Sequence, residues 1–264
     1  TAVTTGTENT LIGGIAGDAL TDADGNTAVG YSSLTSDTLG SKSTAIGRSA
    51  LATQNFTTAT DSHNTAVGYQ AGKAITTGDL NTLIGSLAGD ALTSGNGNVA
   101  VGYNTLGADT LGDRNVALGN HALSSQNFTT TTDAYNVAVG FLTGASVTTG
   151  TQNTFVGGQA GDGTDDGNNN TAVGYLALSA NAGSHNTAIG QSSIAVCTGA
   201  NNTSLGSGAG ASLTSGSNNT FIGFDAGVTG SPGGNITTGS NTIVLGDESI
   251  GACHIQVDWT VASD

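Results

Sequence analysis

The chain has 264 residues, of which 36% are hydrophobic and only 9% are charged. It contains 43 glycines, 1 proline and no methionine. There is no Gly-x-y triplet period rich in proline, which excludes collagen. No apolar run approaches the roughly 20 residues of a membrane-spanning helix, so we expect no membrane insertion. The chain begins at Thr1 rather than at methionine, and we interpret it as a piece of a longer protein.

The charge is strongly acidic, with 4 basic against 19 acidic residues and a net charge of −15. Binding to nucleic acid or to anionic lipid needs clustered Lys and Arg. This chain has only Lys42, Arg48, Lys73 and Arg114, so both kinds of partner are excluded. Its two cysteines, Cys197 and Cys253, cannot staple a fold of this size and match no metal-binding spacing. We expect no metal and no cofactor.

One motif, Asn-(Thr/Val)-x-(Val/Ile/Leu)-Gly, recurs along the whole chain, as in residues 9–13, 26–30 and 64–68. Most successive motif glycines lie about 17 residues apart, and such a fixed period is the signature of a repeat architecture. Three steps are longer: Gly47 to Gly68 and Gly119 to Gly140, which contain the same insertion, and the last step, Gly223 to Gly246. The motif glycines are Gly13, Gly30, Gly47, Gly68, Gly85, Gly102, Gly119, Gly140, Gly157, Gly174, Gly190, Gly206, Gly223 and Gly246.

A longer period, equal to four units with one insertion, is superimposed on the short one. The stretch from Asn9 matches that from Asn81 and, more loosely, that from Asn153. We therefore predict a repeat shaft over residues 1–246, built of blocks 9–80, 81–152, 153–218 and 219–246. We expect residues 247–264, which follow the last repeat, to be a junction between the shaft and a further domain.

A unit of about 17 residues is too short for known helical repeats, which need about 33 residues or more. It has room for a short strand, a turn at the glycine, a second short strand such as residues 31–34, and a polar loop. Side chains alternate along a strand. We expect the Val29 position, always Val, Ile or Leu, to face the core together with Thr27. Ala28 would then face a close neighbour on the other side.

Stacked units of this kind predict an all-β fold, a parallel β-solenoid of about 14 coils. We expect each motif glycine to occupy a coil corner with positive φ or close packing. We also expect the recurring Asn residues to form a ladder between coils. A rod of this width has a poor surface-to-volume ratio, and both strand faces carry apolar residues. Association of several identical chains, most simply a homotrimer, would bury them.

Units such as residues 64–72, Asn-Thr-Ala-Val-Gly-Tyr-Gln-Ala-Gly, resemble the repeats of phage tail-fibre proteins. They are also similar to the head repeats of trimeric autotransporter adhesins. The resemblance covers nearly the whole chain and implies a left-handed parallel β-roll assembled as a homotrimer.

The C-terminal residues 242–264 resemble the junction between a phage tail fibre and an endosialidase-type intramolecular chaperone. In that family the chaperone opens with a Ser-Asp pair, followed by a basic stretch, and cuts itself off before the Ser. Ser263 and Asp264 fit the pair, which would place the self-cleavage junction after Ala262. The basic stretch and the chaperone are absent from the sequence. The presence of Ser263 and Asp264 also departs from a cleaved product.

Acidic residues recur at equivalent coil positions, such as Asp18 with Asp90 and Asp37 with Asp109. This repetition indicates turn and capping roles rather than the paired carboxylates of a hydrolase, and we expect no enzyme. Two loops, 22–26 and 162–168, have oxygen ligands near glycine, as calcium loops do. The equivalent loop 93–98 has no carboxylate, which favours polar turns.

The two insertions carry the same sequence, Gln-Asn-Phe-Thr-Thr, at residues 54–58 and 126–130. Loops that project from a rigid scaffold are common binding sites. An exposed Phe56 or Phe128 next to Asn55 or Asn127 would suit contact with a sugar. Packing of these rings against a neighbouring chain is the alternative.

The sequence thus favours a structural and receptor-recognition segment of a phage tail fibre, located on the virion. Its expected partners are its own copies and a glycan or protein receptor on the host surface. The head of a bacterial surface adhesin is the first alternative. The second is an ice-binding solenoid, which would need ranks of Thr on an exposed face. We expect the Thr27 face to be inside, which disfavours that alternative.

Overall fold

The structure is a computed structural model that describes residues 3–252. Within this range the chain forms eighteen short strands and no helix. Two pairs of two-residue strands, β3 (Gly40–Ser41) with β5 (Thr60–Asp61) and β9 (Gly112–Asp113) with β11 (Thr132–Asp133), lie outside the main sheet. The main sheet has fourteen strands: β1 (Thr10–Ile12), β2 (Thr27–Val29), β4 (Thr44–Ile46), β6 (Thr65–Val67), β7 (Thr82–Ile84), β8 (Val99–Val101), β10 (Val116–Leu118), β12 (Val137–Val139), β13 (Thr154–Val156), β14 (Thr171–Val173), β15 (Thr187–Ile189), β16 (Thr203–Leu205), β17 (Thr220–Ile222) and β18 (Ile243–Leu245).

Every strand of the main sheet pairs in parallel with the strand of the next coil, and motif positions stay in register. Ala28, for example, lies beside Leu11 on one side and Ala45 on the other. The chain therefore winds through about thirteen turns of about 17 residues, which confirms the predicted parallel β-solenoid. At about 4.8 Å per strand, the sheet is roughly 60 Å long.

The orientation of the strands is the reverse of our expectation. The middle position of each strand, occupied by Ala28 in the second coil, is buried inside the solenoid. The flanking Thr27 and Val29 positions point outward and are only partly covered. The reason is the width of the coil, because the interior has space for a small middle residue once the large side chains of the opposite wall, such as Leu34, are in place.

The predicted second strand is also wrong, because residues 31–34 form turns. Ser32 and Leu34 both have positive φ, 57° and 49°, and equivalent residues in the other coils repeat this conformation. Two left-handed residues so close together curl the backbone and prevent extension. These two residues direct the side chain of Leu34 into the core.

The side chains of the interior are complementary in volume from coil to coil. Where the middle strand residue is large, as at Leu11 or Phe155, the facing turn position is a glycine, Gly17 or Gly161. A Cβ on Gly161 would lie 2.7 Å from ring atoms of Phe155. The turn position is also a glycine in the coil before a large middle residue, as at Gly72 before Leu83. In the other coils it is Leu or Ile, as at Leu34 beside Ala28. The glycines at this turn position are therefore packing residues that make room for a large middle residue in their own coil or the next one.

The motif glycines occupy the coil corners, as predicted. Thirteen of the fourteen have φ between 117° and 141°, and Gly246 has 77°. At Gly30 a Cβ would lie 2.6 Å from the carbonyl oxygen of Gly47 in the next coil. Both the backbone conformation and the close approach of the coils thus require glycine here.

The predicted asparagine ladder is present and fully buried through most of the solenoid. The Oδ1 atom of Asn81 accepts hydrogen bonds from the backbone and side chain of Asn98, at 3.0 and 3.2 Å. The Nδ2 atom of Asn98 also donates to the carbonyl of Gly112, at 2.9 Å. Each Asn therefore joins its own coil to both neighbours, which satisfies polar groups that the narrow core would otherwise leave unpaired.

Candidate assembly and binding surface

The outward face of the main sheet has a continuous apolar column, here called the Val column. It comprises the last residue of each strand, and none of these fourteen side chains is buried. Contiguous apolar surface of this length is unusual on a soluble monomer and marks an interaction site. Its members are Ile12, Val29, Ile46, Val67, Ile84, Val101, Leu118, Val139, Val156, Val173, Ile189, Leu205, Ile222 and Leu245.

Beside it runs a second outward column, the Tyr column, formed by the residue after each motif glycine. It mixes exposed aromatic rings with polar and small residues. In chain order its members are Gly14, Tyr31, Arg48, Tyr69, Ser86, Tyr103, Asn120, Phe141, Gly158, Tyr175, Gln191, Ser207, Phe224 and Asp247.

Charge is nearly absent from this side of the molecule. The Val column has no charged residue, and the Tyr column has only Arg48 and, at its end, Asp247. The other carboxylates of the described residues lie outside both columns, in turns, loops and the short strands β5, β9 and β11. Copies of the chain can therefore approach along the sheet face without bringing their acidic residues together.

The Thr column, the first residue of each main strand, also faces outward. Our expectation that this face lies inside is wrong, for the same reason as for the Val column. Ten of its fourteen positions are Thr, and the others are Val99, Val116, Val137 and Ile243. The ranks of Thr that an ice-binding face would need are therefore on the surface of the single chain.

The inserted loops do not present their aromatic rings. Phe56 and Phe128 are 7% and 5% exposed, and both pack within their own chain, so the expectation of exposed rings is wrong. Asn55 and Asn127 are exposed. Their Oδ1 atoms accept hydrogen bonds from Thr38 and Thr110, and a role of these asparagines in binding stays a prediction.

A buried carboxylate explains why each phenylalanine turns inward. Asp37 accepts hydrogen bonds from the backbone of Phe56 and Gly40, both at 3.0 Å, and from the Gln54 side chain at 2.6 Å. Asp109, at the equivalent position of the next block, has the same partners: Phe128, Gly112 and Gln126. The sequence signal was the shared spacing of Asp and Gln in the two blocks, which we interpreted only as turn chemistry.

The outer side of each insertion is held by one ion pair. Lys42 pairs with Asp61, and Arg114 pairs with Asp133. The side chains of all four residues are about half exposed, so each pair contributes little to stability by itself. Together with the buried carboxylates they fix both insertions against the shaft.

The burial of three aspartate side chains predicts that the stability of the fold depends on pH in an unusual direction. Desolvation raises the pKa of Asp90, Asp109 and Asp162 above the ordinary value of 3.8. Each group then binds its proton more tightly in the folded chain than in the unfolded chain. The stabilisation is complete below about pH 4 and is lost as pH rises through the raised pKa. We expect the melting temperature to rise on acidification from about pH 7 towards pH 4, with Asp109, the most deeply buried of the three, contributing most.

Thermal unfolding followed by circular dichroism at a series of pH values checks this result. Asp109→Asn should flatten the dependence. Asp166→Asn, at an exposed aspartate whose side chain has no hydrogen-bond partner among the described residues, is the matched control. A melting temperature that falls steadily over this range in the wild type would contradict the prediction.

The described residues hold no group of three or more His, Cys, Asp or Glu arranged to bind a metal ion, and no pocket. No helix in residues 3–252 is long and apolar enough to cross a membrane.

Cys197 is buried, and burial raises the pKa of its thiol. The proposed cleavage junction, Ala262 to Asp264, and Cys253 lie outside the described residues.

Comparison with protein-family models, curated proteins and solved structures gave no match. The surface of the solenoid therefore has to be interpreted from its own chemistry. Sequence reasoning identified the Val column but not its exposure. It missed the Tyr column, although aromatic residues recur directly after motif glycines, as at Tyr31, Tyr103 and Tyr175.

Proposed function

We propose that this chain is a shaft and receptor-recognition segment of a phage tail fibre. Three identical solenoids would associate side by side along their Val columns, as left-handed rolls around a common axis. The target would be a glycan or protein on the host cell surface. The resemblance of the repeats to tail-fibre sequences supports the family, and the exposed apolar face supports the assembly.

The single observation that carries the assembly is the uncharged Val column, whose side chains are partly or largely exposed at every coil. Packing against copies of the same column would remove this apolar surface from water. Three chains of −15 each would sum to −45. Because no acidic residue lies in the Val column, most of this repulsion would act through solvent, where salt screens it over about 8 Å at physiological strength.

The proposed mechanism is mechanical and adhesive. In-register parallel strands and the asparagine ladder connect each coil to the next, which gives a stiff rod. Three copies would present each surface feature three times. Simultaneous engagement of repeated epitopes then strengthens attachment far beyond a single weak contact.

The solution mass of the folded chain, measured by light scattering after gel filtration, tests the assembly. We expect the mass of three chains. Val101→Lys, near the middle of the Val column, should raise the dissociation constant at least about 100-fold, because it would bury unpaired charges. Leu80→Lys is the matched control, since Leu80 is exposed but lies before the strand and outside both columns. A wild-type monomer would contradict the trimer.

Two alternatives remain distinguishable. A bacterial adhesin head would share this assembly, and the sequence downstream decides between them: a chaperone opening with Ser-Asp and basic residues, or a coiled-coil stalk with a membrane anchor. Ice binding is favoured by the outward Thr column. It requires a free sheet face, so thermal hysteresis in a monomeric sample would support it and displace the tail-fibre proposal.

A further inference from the structure

Three tyrosines occupy the same position of the Tyr column in three successive blocks of the shaft. Tyr31, Tyr103 and Tyr175 are 57%, 47% and 52% exposed. Four coils separate each from the next, which corresponds to about 19 Å along the shaft. Large rings repeated at a fixed spacing on one side of a rigid rod form a periodic set of apolar platforms.

The rings rest on their own chain. A Cβ built on Gly14 would lie 3.4 Å from the ring of Tyr31, and one on Gly158 would lie 3.5 Å from the ring of Tyr175. The absence of a side chain at these glycines thus lets each ring lie against the preceding coil. Tyr103 contacts His121 edge to face, with ring centroids 5.3 Å apart. These contacts restrain the rings before any ligand arrives, which lowers the entropy lost on binding.

A planar polar side chain follows each tyrosine in the next coil of the column: Arg48, Asn120 or Gln191. The guanidinium of Arg48 lies between two rings, 6.0 Å from the centre of Tyr31 and 5.8 Å from that of Tyr69. Tyrosine supplies a flat apolar face with a hydroxyl at its edge. The column therefore alternates stacking surfaces with hydrogen-bonding groups.

We propose that the Tyr column is a binding track for a linear, uncharged polysaccharide. Sugar rings would stack their C–H faces on the tyrosines, and Arg48, Asn120 and Gln191 would donate hydrogen bonds to sugar hydroxyls. The inference rests on the proposed attachment function and names the ligand class and the site. The net charge of −15 disfavours polyanionic glycans at long range, so the ligand is neutral.

The chemistry of the column favours a hydrated ligand over a second copy of the chain. Packing against protein would bury the polar groups of Arg48, Asn120 and Gln191, which is costly unless each finds a partner. The neighbouring Val column has no such groups and is the better surface for a copy. The two columns thus divide assembly and binding between them.

Affinity electrophoresis of the full chain, through native gels that each contain soluble starch, dextran or galactomannan, tests the track. We expect at least one polysaccharide to retard the wild type. The triple variant Tyr31→Ala, Tyr103→Ala and Tyr175→Ala should bind it at least tenfold more weakly. The triple Tyr→Phe variant, which keeps the stacking surface, should retain most of the binding. Tyr135→Ala, at an exposed tyrosine stacked on Arg114 outside the column, is the matched control.

The proposal is overturned if none of the three polysaccharides retards the wild type, or if the triple alanine variant binds as well as the wild type. A triple variant whose mass falls while the wild type is a trimer would assign the rings to subunit packing instead, and would also overturn it. Melting temperatures confirm that each variant is folded. If the wild type is a monomer but a polysaccharide still retards it, and the triple alanine variant loses this retardation, the trimer is rejected and the binding track is kept.

Discussion

Replacement of Gly102 by alanine is expected to lower the free energy of unfolding by at least about 4 kcal/mol. Gly102 has φ of 139°, and an added Cβ would lie 2.7 Å from both the carbonyl carbon and the oxygen of Gly119. These are backbone atoms of the next coil, so no side chain can move aside. Relief would require the two coils to separate, which would disturb the sheet on both sides of the substitution.

Urea unfolding monitored by circular dichroism measures the effect. Gly233→Ala is the matched control, because Gly233 also has positive φ, 83°, but no atom lies within 4 Å of a Cβ built there. Its cost should stay near ~1 kcal/mol, the penalty of the backbone conformation itself. Equal costs at the two positions would show that close approach between coils does not determine the need for glycine.

Replacement of Asn98 by leucine is expected to lower the free energy of unfolding by roughly 3–5 kcal/mol. Asn98 donates to Asn81 and Gly112 and accepts from the backbone and side chain of Asn115. Leucine has a similar size but makes none of these bonds. Buried donors and acceptors in the coils on either side would lose their partners, at about 1–3 kcal/mol for each group.

The same unfolding experiment checks this expectation, with Asn235→Leu as a control at an exposed asparagine without a side-chain hydrogen bond. An Asn98→Leu variant as stable as the wild type would mean that the ladder only fills space. Asn98→Ala then separates the loss of hydrogen bonds from any overpacking by leucine.

The period and the glycine corners could be predicted because each depends on a rule that acts within one coil. A spacing this short excludes helical units, and a glycine retained at every corner indicates a backbone that other residues cannot adopt. The asparagine ladder follows from register, since in-register coils place like residues next to one another. These features needed no knowledge of the three-dimensional path.

The direction of the strand faces could not be predicted in the same way. Uniform Val, Ile or Leu at the Val29 position indicates burial, but alternation does not say whether the burial occurs inside the chain or against another molecule. What decides it is the volume left inside a narrow coil, which depends on left-handed turn residues such as Leu34. Because leucine rarely adopts this conformation, no local pattern pointed to the turn.

The candidate surface was predicted in part. The Val column was recognised as apolar, whereas Phe56 and Phe128 were expected at the surface and are buried over Asp37 and Asp109. A local pattern could reveal only one donor to the Asp37 carboxylate, the backbone of Gly40. The donors that position Phe56 come from the following coil, 17 and 19 residues away.

The repeated blocks have a consequence for how such a rod can evolve. Asn81 and Asn153 occupy the same step of the ladder, one block apart, and the strands at β7 and β13 meet their neighbours in identical register. Recombination between two blocks would therefore join ends of matching geometry. A genome could lengthen or shorten the rod in steps of four coils, about 19 Å each, without inventing a new core.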